Sequence, residues 1–95
     1  MKIERERVEA TLSFLQSFYP LPVESFKPLI KELGGANELT AYLVYLHDHG
    51  FIEGIFDYKH DLPSRPWDIK MGSIRINAFG LDHLSKLEET LPFSP

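Results

Sequence analysis

Four histidines, at positions 47, 49, 60 and 83, carry the acid–base and metal-ligand chemistry nearest neutral pH in this chain. A zinc or general-base site needs such residues to converge on one point. His47 and His49 stand two apart in a helical stretch, so they point to different sides and cannot chelate together. His60-Asp61 has no nucleophile set beside it. There is no HExxH, no carboxylate-rich calcium loop and no glycine-rich phosphate cradle. Cysteine is absent, which removes disulfides, thiolate zinc sites and cysteine nucleophiles together. The expectation is a protein that acts without catalysis, metal or cofactor, with its histidines on the surface or at helix ends.

Recognition is the chemistry left. NELTAYLVYLHDHG, residues 37–50, reads as one helix. Leu39, Tyr42, Leu43 and Leu46 share one face, and Asn37, Thr40, Ala41, Val44, Tyr45 and Asp48 form the outward stripe. Asn37 can pair with adenine, Thr40 or Ala41 can touch a thymine methyl, and Tyr45 can reach a phosphate. Phosphate-holding cations would come from elsewhere: Lys27 and Lys31 one turn apart, then Lys59, Arg65 and Lys70, with Arg75 on a strand. Against a polyanion, the stretch itself holds no lysine or arginine, Glu38 and Asp48 are acidic, and Asp57, Asp61 and Asp68 accompany the later cations. The same stripe also suits a protein contact, because Ala41, Val44 and Tyr45 make it semi-apolar. Trp67, beside Pro66, is a second candidate anchor. The bland alternatives are that Asn37 merely caps its helix and Trp67 folds back over the core.

The elements that must position these residues follow from periodicity. Val8, Leu12, Leu15 and Tyr19, widened by Phe14 and Phe18, predict a first helix over about residues 3–19, stopped by Pro20 and Pro22. A second, short helix over about residues 25–33 carries Phe26, Leu29, Ile30 and Leu33, with Pro28 tolerated in its first turn. Gly34-Gly35 closes it. In the third helix Asn37 is placed as N-cap and Gly50 as the left-handed residue after the end. FIEGIFDYK then alternates as a strand, residues 60–72 read as a loop, and SIRINA resumes alternation, so an antiparallel hairpin is expected. Asn77 can cap a last helix lined by Leu81, Leu84, Leu87 and Leu91, followed by a short flexible tail at residues 92–95.

Ninety-five residues with 43% hydrophobic and 25% charged content fit one globular domain, residues 1–95, and seven Phe, four Tyr and one Trp can fill its core. The net charge of −4 argues against a dedicated polyanion binder. No stretch approaches a membrane span and no leader-like h-region opens the chain, so a cytoplasmic protein without membrane contact is expected.

The stretches LVYLHDHGFIEG and IRINAFGLDHLSKLEE carry a resemblance. Helix, helix–turn–helix, hairpin and terminal helix, in that order, resemble winged-helix regulators and small phage or prophage winged-helix proteins. In those, the third helix ends in a pattern like L…HG.I, and the second strand enters the last helix through I..IT..G...L. Here the junction reads Ile74, Ile76, Asn77, Gly80 and Leu84, with Asn77 in the usual threonine place. The resemblance covers about residues 8–89. It implies an α+β, mostly α fold: a three-helix core with a helix-turn-helix, a two-stranded antiparallel wing and a C-terminal helix. It further implies a small DNA-binding transcriptional regulator, often a homodimer through its terminal helices. Asn37, Thr40 and Tyr45 would then lie in the groove, and Lys27, Lys31, Lys59, Arg65 and Lys70 on phosphates. The competing expectation is a protein-interaction module that does not bind DNA and uses Val44, Tyr45 and Trp67. No small-molecule substrate is indicated.

Overall fold

The computed structural model describes residues 2–59, 61 and 67–89. The expected roles of His60, Arg65 and Leu91, and of the tail at 92–95, fall outside the described residues. In chain order the elements are α1 (Arg5–Gln16), α2 (Lys27–Leu33), α3 (Ala36–Asp48), β1 (Ile52–Tyr58), β2 (Trp67–Ile76) and α4 (Ala78–Glu89). The architecture is α+β and mostly helical, with β1 and β2 forming a two-stranded antiparallel sheet.

Leucine-rich stripes from the helices meet on one core. Val8, Leu12 and Leu15 of α1 and Leu29 and Leu33 of α2 pack with Leu39, Tyr42, Leu43 and Leu46 of α3. Ile52, Ile74 and Ile76 of the strands and Leu84 of α4 close the cluster. Each such side chain, fully withdrawn from water, contributes about 1.5–3 kcal/mol. Polar groups inside are matched. The buried Tyr42 hydroxyl accepts the Glu4 N–H at 3.0 Å, satisfying a donor where α1 begins. Arg7 donates to the Leu33 carbonyl at 2.9 Å, tying α1 to the last turn of α2, and Arg5 donates to Leu87 of α4 at 3.2 Å. Val23, between α1 and α2, donates its N–H to Ile74 of β2 at 3.0 Å, so this connection leans on the sheet as well.

Besides the later starts of α1 at Arg5 and α2 at Lys27, three boundaries differ from the sequence expectation. α1 ends at Gln16, because residues 17–21 tighten into turns: Tyr19 N–H bonds to Gln16 and Leu21 N–H to Phe18. Asn37 is not a cap. Gly35, at φ +150°, takes that place and no side chain caps α3. Gly34 at φ +98° and Gly35 turn the chain in a backbone region few other residues tolerate, and Ala36 is already helical. The third difference is the largest. β2 begins at Trp67, six residues before the expected strand.

Its register explains why alternation failed to show it. Tyr58 pairs with Trp67, Asp57 with Asp68, Phe56 with Ile69 and Ile55 with Lys70, and then Glu53 pairs with Arg75 and Ile52 with Ile76. Between the last two groups β1 advances two positions while β2 advances five. The excess is odd, so the inward set in β2 passes from Trp67 and Ile69 to Ile74 and Ile76. A period-two pattern read straight through breaks between Lys70 and Arg75, where Met71 is exposed instead of facing inward. Ser73 fills the irregularity, its hydroxyl accepting the Ile55 N–H at 2.9 Å.

Asn77 closes the fold as its position suggested, and does more than cap. Its side-chain oxygen accepts the Gly80 N–H at 2.9 Å, opening α4. Its amide donates to the Gly50 carbonyl at 2.8 Å and to Glu53 at 3.0 Å, and its backbone N–H donates to Phe51 at 3.2 Å. One buried side chain therefore joins the end of α3, the start of β1, the end of β2 and the start of α4. Asn77→Ala should cost about 2–3 kcal/mol, the sum of a lost cap at about 1 and two lost hydrogen bonds at about 0.5–1 each. Asn77→Thr keeps a capping oxygen and should lose roughly half as much. Urea midpoints of the two variants check this, and equal losses would show that the bridge alone matters.

Candidate functional site

A second consequence of the hairpin's register is where Trp67 goes. His47, at the last turn of α3, stacks on Phe56 of β1 with ring centroids 4.1 Å apart and planes 18° off parallel. Trp67 stands edge-on to Phe56 at 6.3 Å and to Tyr58 at 5.3 Å. These rings hold the hairpin against the C-terminal half of α3, and Trp67 is half-buried there.

The result is a groove of about 420 Å³ lined by Ile3, Asn37, Thr40, Ala41, Val44, Tyr45, Asp48 and Trp67. Three separate parts of the chain build it. The outward stripe of α3 is its floor, Ile3 ahead of α1 is one contributor to its wall, and Trp67 of β2 is another. Val44, Tyr45, Thr40 and Ala41 are all half-buried, and Asn37 and Asp48 are exposed. Thr40 donates its hydroxyl to the Ala36 carbonyl at 3.0 Å, so its methyl remains for contact. Tyr45 lies edge-on to His49 at 4.6 Å.

Of the residues expected at a site, the structure brings together Asn37, Thr40, Val44, Tyr45 and Trp67. The lysines are elsewhere. Lys27 and Lys31 lie exposed on α2, and neither lines the groove. Lys59 pairs with Asp57 and Lys70 with Asp68, each at 3.9 Å. Since Asp57 and Asp68 face each other across the strands, each lysine offsets one member of a like-charged cross-strand pair. Such exposed pairs contribute about 0–1 kcal/mol, but they leave the hairpin with little net positive field. Arg75 is half-buried and turns its guanidinium onto the Ile76 carbonyl at 3.4 Å. Ile3 was not foreseen. Its only signal was an apolar residue ahead of a highly charged helix start, which reads equally well as the first turn of α1.

The histidines have structural neighbours. His49 and His83 both stack with the Phe51 ring, at 5.3 and 4.3 Å and within 15° of parallel. Burial holds the His83 imidazole below its ordinary value, helped by the nearby positive charge of His49 and Lys86. The sign of the consequence is fixed. Well above about pH 6.5 His83 is neutral in both folded and unfolded chains. As pH falls through that value the unfolded chain takes up the proton first, and stability declines until the pH passes the lower folded value. Urea midpoints followed from about pH 7.5 to 5 should fall in the wild type and fall less in His83→Phe, which keeps a ring on Phe51. Identical slopes would remove His83 as the cause.

Neither a known protein family, nor a curated protein, nor a solved structure matches the chain.

Proposed function

We propose that this chain is a winged-helix module for protein interaction, in which the groove beside the outer face of α3 receives an apolar segment of a partner protein. The element order supports the winged-helix reading: three helices, a hairpin and a closing helix, with the α1–α2 connection donating one bond to β2. One observation carries the protein-binding reading. The surface that a DNA-binding winged helix would insert into the major groove is here a shallow, largely apolar groove with Trp67 at its side and no cation among its described lining residues. Half-buried Val44, Tyr45 and Trp67 have the residue types that anchor protein interfaces.

The DNA reading keeps one supporting observation. Lys27 and Lys31 are exposed and make no ion pair among the described residues, and Asn37 is exposed at the start of α3. In that reading the chain is a small regulator, its lysines hold phosphates and Asn37, Thr40 and Tyr45 meet the bases. Lys31→Glu should then weaken binding to every sequence and reduce the salt slope by about one.

Two measurements separate the readings. Peptides selected from a random library on the wild-type chain should bind at least about tenfold more weakly to Val44→Arg and Tyr45→Ala, while both variants remain folded at the binding temperature. Peptides that do not discriminate these variants would sink the groove as a docking surface. Amide NMR with a mixed-sequence DNA duplex at low salt is expected to leave residues 40–48 and Trp67 unshifted. Salt-sensitive shifts focused there would replace the protein reading with the DNA one, because the phosphate contribution is strongest under those conditions.

A further inference from the structure

The groove is mostly apolar, and among its described lining residues the one formal charge is negative. Asp48 lines it together with Tyr45 and Trp67. Asp48 follows Val44 by four residues and Tyr45 by three, so it stands one turn farther along the same face of α3. Among the described residues it enters no salt bridge, and the hairpin lysines are engaged with Asp57 and Asp68. Its position is also unfavourable for the free molecule. Asp48 is the last residue of α3, where the helix dipole is negative and disfavours a carboxylate. An anion with no ion pair among the described residues, at the wrong end of a helix and lining the same groove as an indole and a phenol ring, is complementary to a cation.

Resting on the protein-binding reading, we propose that the Asp48 end of the groove is a subsite for an arginine side chain of the partner segment. A guanidinium satisfies both features with one planar group. Its face stacks on the Trp67 ring while its edge donates to the Asp48 carboxylate. An ammonium is a compact, strongly hydrated point charge and meets the carboxylate without the planar stack. The rest of the segment then lies along Val44, Ala41 and Ile3 toward Asn37. The same charge opposes a nucleic-acid backbone on this surface.

Trp67 is the single tryptophan of the chain, so its indole N–H resonance and its fluorescence report on this end of the groove alone. The probes are n-butylguanidinium, n-butylammonium and neutral n-butylurea, at matched ionic strength and up to about 50 mM, the range expected for ligands of this size. Butylguanidinium should shift the indole saturably, about fivefold more tightly than butylurea and more tightly than butylammonium. Asp48→Asn should erase that advantage, leave butylurea unchanged, and raise the melting temperature by about 2 °C because the carboxylate no longer opposes the dipole. Equal binding of butylurea and butylguanidinium would overturn the arginine subsite while leaving the apolar groove in place. Butylammonium equal to butylguanidinium would overturn the choice of arginine. No shift with any probe would overturn the subsite, and the peptide selection then decides the groove by itself: selected peptides that discriminate Val44→Arg but lack a recurring arginine would keep the docking surface and discard this inference.

Discussion

Asn77 is the constraint on which the remaining geometry depends. Standing directly after β2, Asn77 has the end of α3, the start of β1 and the start of α4 within reach of one side chain, and its amide and oxygen satisfy a partner on each of the three. Only an amide has a donor pair and an acceptor on the same planar group, so this junction uses a chemistry that a hydroxyl or a carboxylate cannot reproduce. Gly80 belongs to the same constraint. A β-carbon there would collide with the Phe51 carbonyl and the Ile76 side chain, so α4 can start this close to the hairpin only without one. With the hairpin fixed at its base, the ring contacts of His47, Phe56 and Trp67 settle its inner face over α3. The groove is thus a product of the junction, several residues away from it.

Electrostatics follows a pattern of local cancellation. Arg5 and Arg7 are directed onto helix carbonyls, Arg75 onto its own strand, and Lys59 and Lys70 onto neighbouring aspartates. Many exposed charges lie outside these pairings, most of them acidic, and they include Lys27 and Lys31 on α2 and Asp48 at the end of α3. A face for a polyanion would need the reverse distribution, with cations free on α3 and the hairpin. The net charge of −4 is therefore less informative than where the pairing leaves charge unmatched.

Most of the core was legible in the sequence because burial imposes a period. Leu39, Leu43 and Leu46, or Val8, Leu12 and Leu15, could be assigned from spacing alone, and all are buried. Asn77 was legible as a cap from its place between a strand and a leucine stripe. What escaped was whatever depends on partners distant in sequence. The preference of asparagine for caps placed Asn37 at a helix start, but the Gly34-Gly35 turn made the chain helical sooner. The outer stripe of α3 was named residue by residue. That Ile3 and Trp67 would wall it could not be read, since no local pattern reports which surfaces a strand pairing brings together. The early start of β2 was hidden for the same reason, its alternation changing phase within the strand.

That change of phase has a bearing on which sequences can vary. Length changes in the connection between Tyr58 and Trp67 leave the facing of both strands untouched. The segment from Lys70 to Arg75 is different, because its parity decides whether Trp67 and Ile69 look toward α3 or toward solvent. Removing or adding one residue there would turn the indole outward and open the groove on one side, with Ile74, Ile76 and the Asn77 junction all in place. Two residues would preserve it. Parity in a stretch of six residues thus decides whether Trp67 stands beside the groove, independently of the core packing that holds the domain together.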